Sequence, residues 1–190
     1  MPKFLLLLGP SGCGKSTIIR KLREMDTRYT YISPYITRPL REGEADKVSI
    51  SDAEMDGMRA RGELLVINTI YGIRYATPRT PITSAFASRR FPVLDWPVHR
   101  LSIMSDAFGY DQIYVVYVAP PSLDELHRRL QLDGRDADGK RFEAGRQEWF
   151  QYEAGEFDDL INLRVTSEAN RIEALATTIH ANYLQACGMC

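Results

Sequence analysis

The chain has 190 residues, 44% of them hydrophobic, with 24 Lys and Arg against 25 Asp and Glu and a formal net charge of −1. That apolar share supplies a sizeable core and excludes a disordered chain, and the length favours one domain. The charge balance gives no general pull toward nucleic acid or membrane, three cysteines make no disulfide framework, and no apolar run reaches the length of a signal core or a membrane span, so a cytoplasmic protein is expected.

In chain order, Phe4-Leu5-Leu6-Leu7-Leu8 is an apolar run suited to a buried parallel strand. Ser16 to Met25 reads as a helix with Ile18, Ile19 and Leu22 on its inner face. Between them Gly9-Pro10-Ser11-Gly12-Cys13-Gly14-Lys15-Ser16-Thr17 fits the pattern G-x-x-x-x-G-K-[ST]. Strand, loop and helix in that order are what the pattern requires. The backbone can then curl around a phosphate with its N–H groups pointing inward, and the helix adds its positive end. Gly9, Ser11, Gly12, Cys13, Gly14, Lys15, Ser16 and Thr17 are therefore candidate nucleotide contacts. Lys15 would reach the outer phosphates and Ser16 would offer its hydroxyl to Mg²⁺.

Tyr29 to Ser33 is a second strand, broken by Pro34, and Ile36 to Glu44 is turn-rich and basic, with Arg38 and Arg41 three apart. Ser51-x-x-Glu54 is a capping box that opens a short helix, which Gly62 ends. Leu64 to Thr69 and Ile73 to Thr77 flank Tyr71-Gly72 as a hairpin. Thr80-Pro81 reads as an N-cap followed by proline, starting a helix to about Arg89. Phe91 to Asp95 is an apolar strand ending on a carboxylate, and Val98 to Phe108 is a helix closed by Gly109.

Ile113 to Ala119, β-branched and aromatic throughout, is the strongest strand. Ser122-x-x-Glu125 is a second capping box, for a helix to Leu132. The charged, glycine-flanked 133–140 stretch precedes a helix from Arg141 to Ala154, a strand from Leu160 to Val165 and a last helix from Glu168 to Gln185. Cys187 and Cys190 fall in a tail expected to fray. Strands separated by helices argue for a parallel sheet wound on both faces, with an irregular region inserted at 34–80.

A phosphate loop says nucleotide but not reaction. Arg128, Arg129, Arg135, Lys140, Arg141 and Arg146 cluster around a glycine-flanked segment that would serve as a lid. Phosphoryl transfer needs in-line positioning and cations on the migrating group, and arginines on a closing segment supply both. On spacing and charge, Arg135 and Arg141 are the pair expected to meet phosphate. Arg38 and Arg41 lie outside the loop, and their planar guanidinium groups suit a second phosphorylated molecule. His99, His127 and His180 have no partner at metal-ligand spacing, and Trp96 and Trp149 read as packing residues.

Gly9-Pro10-Ser11-Gly12 to Thr17, followed by Thr37-Arg38-Pro39 and Arg41-x-Gly43-Glu44, resembles the two motifs of guanylate kinases. The resemblance runs from about Phe4 to Asn162, through Tyr75-Ala76-Thr77, Leu94-Asp95, Arg129-Leu130, Arg135, Arg141 and Glu148. It implies an α/β, three-layer P-loop kinase fold with a parallel core sheet (1–33, 81–132 and 156–190), an inserted acceptor-binding region (34–80) and a lid (133–155). It implies ATP and Mg²⁺ as donor, with Arg38, Arg41 and Tyr75 on the acceptor phosphate and Arg135 and Arg141 on the lid. Asn162 would lie near the adenine, and Asp95 would meet the hydration shell of Mg²⁺. A small phosphorylated substrate, no nucleic acid, no membrane, and a monomer or homodimer are the partners expected.

The guanine-reading positions depart from the family pattern. Pro34 stands where the family has Ser or Thr, Val66 where it has Glu, and Pro97 where it has Asp. The phosphate-binding Tyr after the Gly-Glu pair is replaced, with Lys47 falling nearest, and Thr77 keeps a base-facing hydroxyl. Asn68 or Glu63 is an acceptor available from a shifted register. Tyr35-Ile36-Thr37-Arg38 is also similar to ribose 1,5-bisphosphate phosphokinases, whose acceptor has no base. A scaffold-type guanylate-kinase-like domain that binds phospho-ligands without turnover is the third alternative, and the intact Lys15 and Ser16 count against it.

Overall fold

A computed structural model describes residues 1–41, 47–70, 72–134 and 136–189. In chain order the strands are β1 (Phe4–Leu8), β2 (Tyr29–Tyr31), β3 (Tyr35–Ile36), β4 (Val48–Ser49), β5 (Leu64–Ile70), β6 (Ile73–Pro78), β7 (Phe91–Asp95), β8 (Ile113–Ala119) and β9 (Leu163–Thr166). The helices are α1 (Lys15–Met25), α2 (Asp52–Ala60), α3 (Arg79–Ala87), α4 (Leu101–Phe108), α5 (Leu123–Leu132), α6 (Lys140–Glu153) and α7 (Ile172–Ala186).

A five-stranded parallel sheet in the order β2-β7-β1-β8-β9 forms the middle layer. Every residue of β1 and β8 is buried, as expected for central strands covered on both faces. The strand period of two sorts β1 between the layers. Leu5 and Leu7 pack with Ile18 and Leu22 of α1 and with Ile179 and Tyr183 of α7. Phe4, Leu6 and Leu8 face the other way, onto Ile82 of α3 and Leu101 and Met104 of α4. The result is a three-layer α/β architecture.

A second sheet of four strands, β4-β3-β6-β5, is built from the inserted region. Met55 of α2 packs on one face of it with Leu64 and Ala76, joined by Tyr35, Met58 and Ile67. Arg74 ties the hairpin to α2 by donating to Asp52 at 2.7 Å and Asp56 at 2.5 Å.

Several elements differ from their expected form. β3 and β4, two residues each, carry too little pattern to be read locally, and β6 supplies the register of β3. Helix α3 begins at Arg79 after Pro78, so Thr80 is not its cap; Pro81 falls in the first turn, where its missing N–H has no helical acceptor to lose. Ser51 and Glu54 close a reciprocal capping box. Ser122 caps α5 by accepting from the Glu125 N–H at 3.1 Å, but the Glu125 carboxylate turns to Arg128 and Arg129, each at 2.7 Å, so that box is half formed. β2 stops at Tyr31, residues 158–160 form a 3-10 turn ahead of β9, and α7 starts at Ile172. Cys187 is buried in the core rather than frayed, and its carbonyl accepts from the Met1 amino group at 3.0 Å. Cys190 lies outside the described residues. Among the described residues no helix is long and apolar enough to cross a membrane.

Candidate active site

The loop between β1 and α1 begins at Gly9, whose φ is +124°. A Cβ there would sit 2.2 Å from the Val118 carbonyl oxygen of β8, so glycine is required both by conformation and by space. Gly14, with φ of +90°, leads into the open N-terminus of α1. The Lys15 ammonium folds back over the loop and donates to the Gly9 carbonyl at 2.5 Å and the Pro10 carbonyl at 2.7 Å, 3.6 Å from the Cys13 sulfur. Burial pulls the Lys15 pKa down, but Cys13, Asp95 and Glu148 around it push it up by more, so the ammonium stays charged. Burial raises the Cys13 thiol, against the opposing pull of Lys15. Ser16 is exposed in the first turn of α1, and Ser11, Gly12 and Thr17 are half-buried beside it.

Helix α6 covers the loop with one stripe of residues at helical spacing. Arg141 donates to the Ser11 hydroxyl at 3.4 Å. At Gly145 an added Cβ would lie 3.2 Å from Cβ of Pro10 and 3.0 Å from Leu126, so the missing side chain lets the helix approach the loop. Glu148 comes next, close enough to Lys15 that each shifts the other. Burial raises the Glu148 pKa, Lys15 lowers it, and its Oε1 is buried without a hydrogen-bond partner. Tyr152 completes the stripe, stacked on Tyr117 of β8 with ring centroids 4.2 Å apart. Asp136 caps the helix, accepting from the N–H groups of Arg141 at 2.7 Å and Phe142 at 2.9 Å. Arg135 lies outside the described residues, as do Gly43 and Glu44.

Asp95 ends β7 in register with Leu7 of β1, and its Oδ1 accepts from the Tyr31 hydroxyl at 3.2 Å. That position puts a carboxylate at the carboxyl end of the sheet beside Lys15. Arg129 of α5 ties the helix to the end of β9 by donating to the Ser167 carbonyl at 2.7 Å and to its hydroxyl at 3.2 Å.

On the second sheet the face opposite α2 carries Tyr75 and Thr77. Tyr75 is in register with Ile36 and Asn68, and Thr77 with Val66, so these side chains share one face. Val66 packs on the core cluster that includes Leu8, Leu94 and Trp96, so this face is turned to the core of the molecule rather than to α2. Arg38 follows β3; its guanidinium donates to the Pro39 carbonyl at 2.8 Å, and its own carbonyl accepts from Ser49 at 2.7 Å. Arg41 is exposed and Lys47 half-buried, on either side of residues 42–46, which are not described.

Asn162 is not brought to the loop. Its side-chain Oδ1 accepts from the Val115 N–H at 2.7 Å and its N–H donates to the Val115 carbonyl at 2.9 Å, extending the sheet before β9. Val115 is three residues back along β8 from Val118, the neighbour of Gly9, or roughly 10 Å at the strand rise. Ser167, at the other end of β9, is the residue of this segment that meets the loop: its hydroxyl would be 3.2 Å from a Cβ on Gly14. Asn162→Ala is therefore expected to cost about 1 kcal/mol of stability in a denaturant titration.

Comparison with known proteins shows the relatives of this chain. A family model described as guanylate kinase matches residues 1–181. A guanylate kinase of Thermobifida fusca is 38% identical over 72% of this chain and 70% of its own. One of Streptomyces coelicolor is 32% identical over 94% of this chain and 92% of its own. With three further guanylate kinases the alignments span 61% to 64% of those proteins. The crystal structure of a guanylate kinase from Anaplasma phagocytophilum superimposes with a TM-score of 0.74 at 22% identity, covering 100% of this chain and 87% of that one.

Proposed function

The chain belongs to the guanylate kinase family, and from that premise we propose that it transfers the γ-phosphoryl group of ATP to the phosphate of a nucleoside monophosphate, GMP by its relatives' activity. The observation that supports this best is the pairing of two surfaces. The Gly9–Thr17 loop holds Lys15, and the second sheet carries Tyr75 and Thr77 on the face turned away from α2, with Arg38 and Arg41 following β3.

In this reading the loop amides and the N-terminus of α1 hold the donor phosphates. Lys15 exchanges its bonds to the Gly9 and Pro10 carbonyls for phosphate oxygens and bridges donor and acceptor. Arg38, Arg41, Lys47 and Tyr75 hold the acceptor phosphate, and Arg141, already at Ser11, meets the migrating group together with Arg135. Thr77 offers the base a hydroxyl. The acceptor oxygen is an anion at neutral pH, so no general base is needed. Ser16 and Asp95 fit a hydrated Mg²⁺. Both lie at the mouth of the loop, and an ion held there would be carried mainly by nucleotide phosphates and water. When bound, the ion would neutralise charge on the donor oxygens. The residues divide as a core, an acceptor region at 34–80 and a lid at 133–155. The protein acts in the cytoplasm as a monomer or homodimer, with no nucleic acid or membrane partner.

An ADP-release assay with GMP, AMP, UMP, CMP and ribose 1,5-bisphosphate tests the acceptor. Turnover with GMP is expected. Turnover with the sugar bisphosphate alone would assign a sugar-phosphate kinase, and none with any acceptor would assign a binding domain. Arg41→Ala is expected to raise the acceptor KM about 10- to 100-fold, the loss of a charge-assisted contact, with the KM for ATP unchanged. Equal effects on both constants would contradict two separate phosphate sites.

A further inference from the structure

Asn68 is a buried amide that holds neither phosphate nor metal. It is 4% exposed, and its Oδ1 has no hydrogen-bond partner. Buried polar atoms left in this state are rare in folded proteins, and each one calls for a water or a ligand. Asn68 stands on β5 directly across from Tyr75, two residues from Val66 and on the same face. That face looks away from α2, and Val66 on it packs against the core cluster that includes Leu8, Leu94 and Trp96. The Ser33 hydroxyl, two residues ahead of β3, is likewise buried without a partner. This face thus holds an unmet amide oxygen at Asn68, while Val66 and Pro97, standing where the family pattern has Glu and Asp, have no side-chain acceptor to offer.

We propose that the Asn68 side-chain amide reads the acceptor's base, pairing with the adjacent ring N–H and carbonyl of a 6-oxopurine and leaving the substituent at C2 unread. The inference rests on the nucleoside monophosphate reading above. Its chemistry follows from donor and acceptor counts. A carboxylate has only acceptors and would pair with two neighbouring donors, the N1–H and the 2-amino group of guanine. An amide has one acceptor oxygen and one donor nitrogen. It matches the N1–H and O6 edge instead, and that edge is the same in guanine and hypoxanthine. With no carboxylate at Val66 or Pro97, the 2-amino group meets at most the neutral Thr77 hydroxyl, which water can satisfy at little cost when hypoxanthine is bound. The substrate class is 6-oxopurine nucleoside monophosphates.

The test is kcat/KM for GMP and IMP, with ATP saturating, in the wild-type protein and in Asn68→Asp and Asn68→Leu. Wild type is expected to use the two nucleotides within about threefold of each other, since a site selects only for groups that it bonds. Asn68→Leu should lower kcat/KM for both by about 10- to 100-fold without moving the KM for ATP. Asn68→Asp, the same shape with two acceptors, should raise the GMP to IMP ratio to about 10 or more. That ratio is a readout that a packing role would not move, and it stays available if the Leu variant folds poorly. A wild-type preference for GMP above about 30-fold, or an Asp variant with an unchanged ratio, would overturn the proposal. Turnover of neither GMP nor IMP, with another acceptor used, would overturn the nucleoside monophosphate reading itself.

Discussion

Lys15→Ala is expected to lower kcat by about 10³-fold or more, the scale of losing a preorganised charge from the group transferred. The fold should survive. The ammonium's bonds are to the Gly9 and Pro10 carbonyls, and both can take water instead. The variant keeps the strand, the glycines and the start of α1 that shape the loop. Its far-ultraviolet circular dichroism should match wild type, and ATP should still bind, more weakly, through the loop amides. The residue it leaves behind is informative. Glu148 is buried and raised by that burial, and Lys15 is the leading influence holding it down. Without the ammonium the carboxyl takes up a proton more readily, so the variant should not accumulate an unpaired buried charge. A variant with wild-type turnover would remove Lys15 from the chemistry.

Gly9→Ala should be the most damaging single methyl in the chain. At φ of +124° an L-residue is strained by about 1–3 kcal/mol, and the new Cβ would lie 2.2 Å from the Val118 carbonyl oxygen. The obstacle is backbone of the central strand β8, which cannot swing aside as a flexible side chain could. Strain and clash together should cost about 3–5 kcal/mol, a fall in melting temperature on the order of 10 °C. Nucleotide binding should fail at the same time, because relief of the clash must move the loop off the end of β1. A melting temperature within about 2 °C of wild type would show that the loop is not seated as described.

The two predictions depend on a part of the fold that was legible from local pattern. The run of five apolar residues, the loop and the helix stripe each carry their own period or spacing, and all three appear where the sequence put them. The alternation of strands and helices likewise identified the parallel sheet covered on both faces. What was not legible depends on contacts between distant residues. The two-residue strands β3 and β4 have no period to detect, and β3 takes its register from β6. Glu148 and Lys15 are more than a hundred residues apart, and only the approach of α6 to Pro10, permitted by Gly145, brings them together. Thr80 looked like a helix cap because its type and the following proline fit one, yet the hairpin continues to Pro78 and sets the start of α3 instead. A place for Asn162 near the adenine is implied by the family resemblance alone, and what the structure shows of it is a long-range contact that no local pattern announces. Its amide completes the sheet at Val115, and Ser167 is the residue of that segment beside Gly14.

The central claim is that two phosphorylated molecules meet end to end in one cleft and that a phosphoryl group passes between them. Phosphorus NMR of the protein with ATP, Mg²⁺ and GMP tests it most directly. The expected spectrum shows ADP and GDP rising in equal amounts with no inorganic phosphate. ADP and inorganic phosphate appearing at the same rate whether or not GMP is present would contradict it.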